Sequence, residues 1–387
     1  MAALFYIPRM GFEKKCIFDP NSLIMGKCKN YCVIMAGGIG SRFWPLSTAD
    51  RPKQFIDILG IGKTLLQLTF ERFNRIIPAE NILVVTSDKY KSLVKEQLPQ
   101  LNDSQILLEP IRRNTAPCIA YATYKILSTC PTANIVVAPS DHLILKEDLF
   151  LNEIDKGLQF VGEKEVLLTL GILPSRPETG YGYIQVNGKT DFNQFDNLFK
   201  VKTFTEKPDR AMAQVFIDTG EFYWNSGIFV WSATAIQKAF EKYLPDVIAL
   251  FDNGKKLINT ADERSFINKT YSECPNISID YGIMEKADNV YVLTADFGWS
   301  DLGTWGSLYE NHPLDTRGNA VAGAKTFLYD TEGCIVNLPA DKTAVIQGLK
   351  NYIVVESQKT MLICRKDDEQ QIRQFVADVM LSEEKKI

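Results

Sequence analysis

Residues 36–45 read AGGIGSRFWP, and RPKQFIDILG follows at 51–60. Gly37, Gly38 and Gly40 allow positive φ and let backbone N–H groups approach an anion closely. Ala36 and Ser41 flank them. Arg42 adds a guanidinium whose fork geometry suits phosphate oxygens. Lys53 reaches the same crevice if 46–52 is a loop, and becomes a second phosphate cation. A solvated surface lysine and a tight strand-to-helix turn are the plainer alternatives. Two features argue against a dinucleotide site. Pro45 cannot continue a helix interior, and no acidic residue closes a second strand about twenty residues on.

EPIRRNTAP (109–117) starts with Glu109 at a strand end. Asn114 and Thr115 are good N-cap types for the helix that follows. The same position presents a helix N-terminus, an amide and Arg113 to the crevice, which suits a base and ribose. APSDH (138–142) puts Asp141 at another strand terminus. It reads either as a turn former or as a Mg²⁺ ligand, since Mg²⁺ takes one or two carboxylates with phosphates and water. Asp301 in GWSDLGTW (298–305) is the candidate second acid, and a capping residue otherwise. PETGYGYI (177–184), TEKP (205–208) and NSGIF (225–229) each set a hydrogen-bonding residue beside a small one. Glu206, Lys207 and Asn225 can read hydroxyls or a phosphate on a small polar substrate; Glu206–Lys207 is otherwise a surface pair.

These residues need elements to hold them. Strands at 31–35, 81–87, 105–110, 134–142 and 165–171 alternate with helices at 64–77 and 115–127. Thr64 is a candidate N-cap, and Pro117 sits in a first turn. The pattern predicts an α/β fold with a doubly wound, mostly parallel sheet, whose ligands lie beyond the carboxyl ends of the strands. From 172 to about 312 strands at 181–186, 198–207 and 225–231 mix with helices at about 208–218, 233–243 and 262–272. After 318, CIVNLP, TAVIQGL, YIVVES and TMLICR recur about nine residues apart, until a helix at 367–382. That predicts a small separate β domain, a solenoid of short turns or a compact barrel. The expected division is an arm over 1–28, a main domain over 29–315 and the β domain over 316–387. Residues 1–25 fit no element, and Met25 is a candidate start.

The chain has 387 residues, 45% hydrophobic and 23% charged, with net charge −4. That is ordinary for a globular protein and does not favour non-specific nucleic-acid binding. Eight scattered cysteines and two histidines make no zinc-type cluster, and the cysteines read as apolar fillers in a reducing cytosol. No apolar run is long enough to span a membrane, and the N-terminus is a poor signal peptide. A cytoplasmic enzyme is expected.

Taken together and in order, GGIGSRFWP with RPKQF resembles the signature of the sugar-phosphate nucleotidylyltransferases. EPIRRNTAP, PSDH, the GYGYI–EKP–NSGIF series and GWSDLGTW narrow the likeness to mannose-1-phosphate guanylyltransferases. It covers about 31–312, with the β tail beyond. Ile39, Ser41 and Phe43 depart from the commoner Ser, Thr and Leu, and Arg51 stands where a neutral residue is more frequent. The resemblance implies a Rossmann-like, GT-A type nucleotidyltransferase domain followed by a short β-helix. It also implies GTP and mannose 1-phosphate as substrates, GDP-mannose and pyrophosphate as products, and Mg²⁺ as cofactor. By the same resemblance, Arg42 and Lys53 are catalytic, and Asp141 and Asp301 hold the metal. Ala36, Gly37, Gly38, Gly40, Ser41, Glu109, Arg113, Asn114 and Thr115 hold the nucleotide. Gly180, Tyr181, Glu206, Lys207 and Asn225 hold the sugar phosphate. The additional phosphomannose isomerase domain of longer relatives is not present in the 387 residues, so a single activity is expected.

Rival readings are the same transfer with another nucleotide or sugar, a non-catalytic nucleotide-sugar sensor, and a nicotinamide-dependent dehydrogenase. The sensor would tend to lack the Arg/Lys pair or the two carboxylates. A homodimer is the expected assembly.

Overall fold

The computed structural model describes residues 30–384, apart from 39–40, 190–194 and 206. The expected arm over 1–28 and the candidate start at Met25 lie outside the described residues, as do Gly40 and Glu206.

The chain begins with β1 (Asn30–Met35), α1 (Leu65–Asn74), β2 (Ile82–Ser87), α2 (Lys91–Gln97), β3 (Ile106–Glu109), α3 (Thr115–Leu127) and β4 (Asn134–Pro139). Then come β5 (Leu143–Ile144), α4 (Glu147–Glu163), β6 (Leu167–Ile172), β7 (Tyr183–Lys189), β8 (Leu198–Thr205), α5 (Arg210–Thr219) and β9 (Phe222–Ser232). The main domain ends with α6 (Ala233–Tyr243), α7 (Pro245–Asp252), α8 (Glu263–Glu273), β10 (Val290–Ala295), β11 (Trp299–Ser300) and α9 (Trp305–Glu310).

One sheet runs β3-β2-β1-β4-β9-β6-β10-β8-β7. Alternate residues of β1 face opposite layers, as strand geometry requires. Cys32 and Ile34 pack with Phe70 and Phe73 of α1 and Ile154 of α4. Tyr31 and Val33 pack with Ile119 of α3 and Phe240 of α6. Helices therefore cover both faces. Thr64 caps α1 as expected: its Oγ1 accepts from Gln67 N, and Gln67 Oε1 accepts from Thr64 N at 2.9 Å. No helix among the described residues is long and apolar enough to cross a membrane.

The expected mostly parallel sheet is corrected. β3, β2, β1 and β4 pair in parallel, and so do β6 and β10. β9 inserts antiparallel between β4 and β6, and β7 and β8 are antiparallel to their partners. The connection from Lys189 to Leu198 is too short for the crossover that parallel pairing needs. Helix α4, unmarked in the sequence reading, buries Phe150, Ile154, Leu158 and Val161 on one face.

The C-terminal β domain holds β12 (Ala320–Tyr329), β13 (Ile335–Gln347), β14 (Tyr352–Ser357) and β15 (Thr360–Arg365), then α10 (Ile372–Glu384). The first three pair in parallel, with Ala320 beside Ile335 and Ile335 beside Ile353; β15 returns antiparallel. This domain packs on the glycine loop. Ile335, Ile353, Leu362 and Ile372 share a buried cluster with Phe43, Leu302 and Trp305. The six described cysteines are buried and are not joined in disulfides, in line with the filler reading.

Candidate active site

β1, β2, β3 and β4 run in parallel and end at one crevice, and β5 and β11 carry its second wall to them. In this two-stranded antiparallel pair, Trp299 lies opposite Ile144 and Ser300 opposite Leu143. The ladder brings Asp301 alongside Asp141, although the two are far apart in sequence. Lys53 ties them further. Its Nζ is 2.9 Å from Asp141 Oδ2 and donates to the carbonyls of Asp301 (2.7 Å) and Leu302 (3.0 Å). Lys53 is buried, so the surface alternative fails, and all three of its donors are engaged. Leu302 has φ of +43°, a strained conformation for a bulky residue. Its N–H donates to Ser300 Oγ and its carbonyl accepts from Lys53, which hold it there.

Electrostatics follow from these contacts. Burial pushes the Asp141 carboxyl up, but Lys53, His142 and hydrogen bonding together outweigh it and leave its pKa below the usual value. Burial lowers the His142 pKa against the pull of Asp141. Trp299 Nε1 donates to His142 Nδ1 at 3.2 Å, so the ring proton sits on Nε2. Asp301 Oδ1 accepts from Tyr181 Oη (2.9 Å) and Gly303 N (2.7 Å). Tyr181 is itself held edge-on between Trp224 and Trp299.

Arg42 lies in a short 3₁₀ turn, Ser41–Phe43, and its only described hydrogen bond is a long one of 3.5 Å to Gly303 O. The Trp44–Pro45 peptide is cis. No long helix starts until Leu65, so Pro45 marks a loop, as read. Gly37 and Gly38 do not adopt positive φ. What Gly37 supplies is space: a Cβ there would lie 3.2 Å from Glu109 Oε2. Gln54, which sequence reasoning passed over beside Lys53, holds the loop. Its Nε2 donates to Ala36 O and Gly38 O, both at 2.9 Å.

Gly37, Gly38, Glu109, Arg112, Arg113, Asn114, Thr115 and Asp141 share a cavity of about 390 Å³. Burial pushes the Glu109 carboxyl up to about 7, against the opposing effects of the Tyr271 hydrogen bond and Arg112. Asn114 caps α3 through Oδ1 and Thr115 N, and Thr115 Oγ1 accepts from Ile279 N. The plain capping reading therefore holds for Asn114, whereas Thr115 is the first residue of α3 and ties it to the Ile279 segment; both also line the cavity. Arg113 donates to Tyr271 O and Ser272 O at the end of α8. Arg112, missed in the sequence, has no described hydrogen bond or ion pair and lines the same cavity.

At the other end, Asn225 N donates to Gly182 O, which sets it beside Tyr181, and its Nδ2 donates to Asp280 Oδ1 at 2.7 Å. Lys207 lines a further cavity with Asn114, Thr115, Asn276 and Asp280. Gly180 is exposed, and its N–H donates to Glu178 Oε1.

Arg42, Lys53, Asp141, His142, Asp301, Gly303 and Arg373 line a smaller cavity of about 260 Å³. Asp141 belongs to both this cavity and the Glu109 cavity. No group of three or more acidic, His or Cys ligands exists among the described residues. Two carboxylates beside cationic residues fit a divalent ion that completes its shell with phosphate oxygens and water. Asp301 Oδ2 has no described hydrogen-bond partner, because Oδ1 takes both bonds.

A nucleotidyl transferase family model matches residues 31–318, and a MannoseP isomerase/GMP-like beta-helix domain model matches 325–379. The chain belongs to the nucleotidyl transferase family. It is 36% identical to a mannose-1-phosphate guanylyltransferase of Escherichia coli, over 89% of this chain and 72% of that protein. It is 34% identical to the alginate biosynthesis protein AlgA of Pseudomonas aeruginosa, over 90% of this chain and 71% of that one. A Thermus thermophilus crystal structure described as a "mannose-1-phosphate geranyltransferase" superposes with a TM-score of 0.81 at 30% identity. That match covers 91% of this chain and 99% of the other.

Proposed function

We propose that the protein transfers a guanylyl group: GTP and α-D-mannose 1-phosphate give GDP-mannose and pyrophosphate. The observation that carries this is the meeting of Asp141 and Asp301 with Arg42 and Lys53 on one cavity, joined through Asp141 to the Glu109 cavity. The base and the sugar are taken from the mannose-1-phosphate guanylyltransferases that the chain resembles.

The base sits in the Glu109 cavity. A carboxylate there accepts from the N–H edge of guanine, and the backbone of Ala36, Gly37, Gly38 and Ser41 runs past the phosphates, with Gly40 among them in sequence. Arg113 holds α8 against this pocket, with Asn114 and Thr115 at its rim. The sugar phosphate lies along Gly180, Tyr181, Asn225 and Lys207, with Glu206 beside them in sequence. Its phosphate has a second pKa of about 6, so it is ionised near neutrality and needs no general base. One of its oxygens forms the new bond to the α-phosphorus while the bond to the β-phosphate oxygen breaks and pyrophosphate leaves. Arg42 and Lys53 stabilise the charge on the leaving group and align the two polyanions. Asp141 and Asp301 hold Mg²⁺, which when bound offsets charge on the phosphates.

Further points belong to the same reading. The main and β domains divide near 315/316. The β domain is a short β-helix, for which the successive parallel pairings of β12, β13 and β14 are the support. Two chains form a dimer through it, since Val345, Met361 and Ile363 are exposed there; a monomer in sedimentation would remove that part. The work is done in the cytoplasm. The enzyme reading is tested by incubating purified protein with each nucleoside triphosphate, each hexose 1-phosphate and Mg²⁺. Pyrophosphate release specific to GTP and mannose 1-phosphate is expected; its absence sinks the proposal.

A further inference from the structure

The small cavity has one wall that does not come from the main domain. Helix α10 packs on the Ser41–Phe43 turn. Its first residue, Ile372, is buried with Phe43, Leu302 and Trp305. Just before it, Glu369 accepts from Gly306 N at 2.9 Å, fixing the helix start over α9. These contacts set Arg373 on the cavity with Arg42, Lys53, Asp141 and Asp301.

The charges there are unevenly matched. Lys53 is paired with Asp141. Arg373 is exposed and has no hydrogen bond or ion pair among the described residues. Arg42 has only its long contact to Gly303 O and no described ion pair. Glu369 is near enough to feel Arg42, yet burial raises its pKa and its carboxylate already accepts from Gly306 N. Two guanidiniums on one cavity, neither in a described ion pair, suit an anionic ligand with several oxygens. Asp141 lines both cavities, so a nucleotide with its base beside Glu109 and its α-phosphate at Asp141 extends its remaining phosphates toward Arg42 and Arg373.

We propose that Arg373 binds the β- and γ-phosphates of the nucleotide, and hence pyrophosphate, so that the C-terminal helix completes the triphosphate subsite. This rests on the nucleotidyl-transfer reading above. The test compares wild type, Arg373→Ala and Arg373→Lys by equilibrium binding of pyrophosphate, GTP and GMP in the presence of Mg²⁺. For Arg373→Ala, affinity for pyrophosphate and GTP falls by about tenfold or more, as for loss of a charge-assisted contact. GMP affinity stays within about twofold, and Arg373→Lys lies between. Unchanged pyrophosphate and GTP affinity overturns the inference, as does an equal loss for all three ligands, which marks a structural role. Arg373→Gln, which keeps much of the side-chain stem, replaces the alanine variant if that one fails to fold. The wild-type turnover assay separates the two ideas. No pyrophosphate release there ends the transfer reading, whereas normal release with unaltered Arg373→Ala binding ends this one.

Discussion

Lys53 Nζ forms an ion pair with Asp141 Oδ2 at 2.9 Å, the lysine buried and the aspartate partly open to the crevice. The same ammonium holds the backbone of Asp301 and Leu302. Lysine at this place is thus a joint between the two carboxylate-bearing loops as well as a charge. Lys53→Ala is expected to lower turnover by ~10²-fold or more, as for loss of a preorganised charge at a reacting centre. Pyrophosphate release in single turnovers checks it, and wild-type turnover would remove Lys53 from the mechanism.

Tyr181 orients the other carboxylate through its hydrogen bond to Asp301 Oδ1. Tyr181→Phe keeps the ring between Trp224 and Trp299 but loses that bond. Apparent metal affinity is expected to fall by about 10–100-fold, the range seen when a ligand loses its supporting hydrogen bond. A titration of activity against Mg²⁺ measures it. An unchanged midpoint would separate Tyr181 from the metal site.

The Glu109 carboxyl is pushed up to about 7 by burial. If guanine sits in the Glu109 cavity as proposed, the ionised form is its acceptor, and GTP binding is expected to strengthen as pH rises through about 7. Glu109→Gln should flatten the part of this dependence that GTP's own ionisation does not explain. Stability has the opposite sign. The folded-state pKa lies above the ordinary 4.5, so folding stability falls as pH rises from about 4.5 through about 7. Binding isotherms and melting curves at several pH values test both, with the variant as reference.

Gln54 anchors the glycine loop through two hydrogen bonds from one amide. At about 1 kcal/mol each, their loss in Gln54→Ala is expected to weaken GTP binding by roughly tenfold or more. The effect should fall on KM for GTP more than on KM for mannose 1-phosphate. Equal changes in both constants would mean a general loss of structure.

Much of this site could be read from the residues because it stands at strand ends. The glycine loop and Asp141 follow β1 and β4, Glu109 ends β3, and parallel strands deliver such segments to one crevice. Local patterning also marked α3 and α6, whose apolar residues and caps leave little choice. What escaped needed tertiary information. Which of two adjacent arginines is left open to the Glu109 cavity depends on the docking of α8, which takes Arg113 and leaves Arg112. The antiparallel entry of β9 between β4 and β6 depends on long-range pairing. Arg373 carries no local signal; it matters because Ile372 buries against Phe43.

The ladder between β5 and β11 also sets a timetable. A nascent chain that has emerged only as far as β10 can already contain the glycine loop, Glu109 and Asp141. It still lacks the strand that delivers Asp301 and the helix that carries Arg373. The segments that close the small cavity, β11 with Asp301 and α10 with Arg373, are thus the last parts of the site to be synthesised.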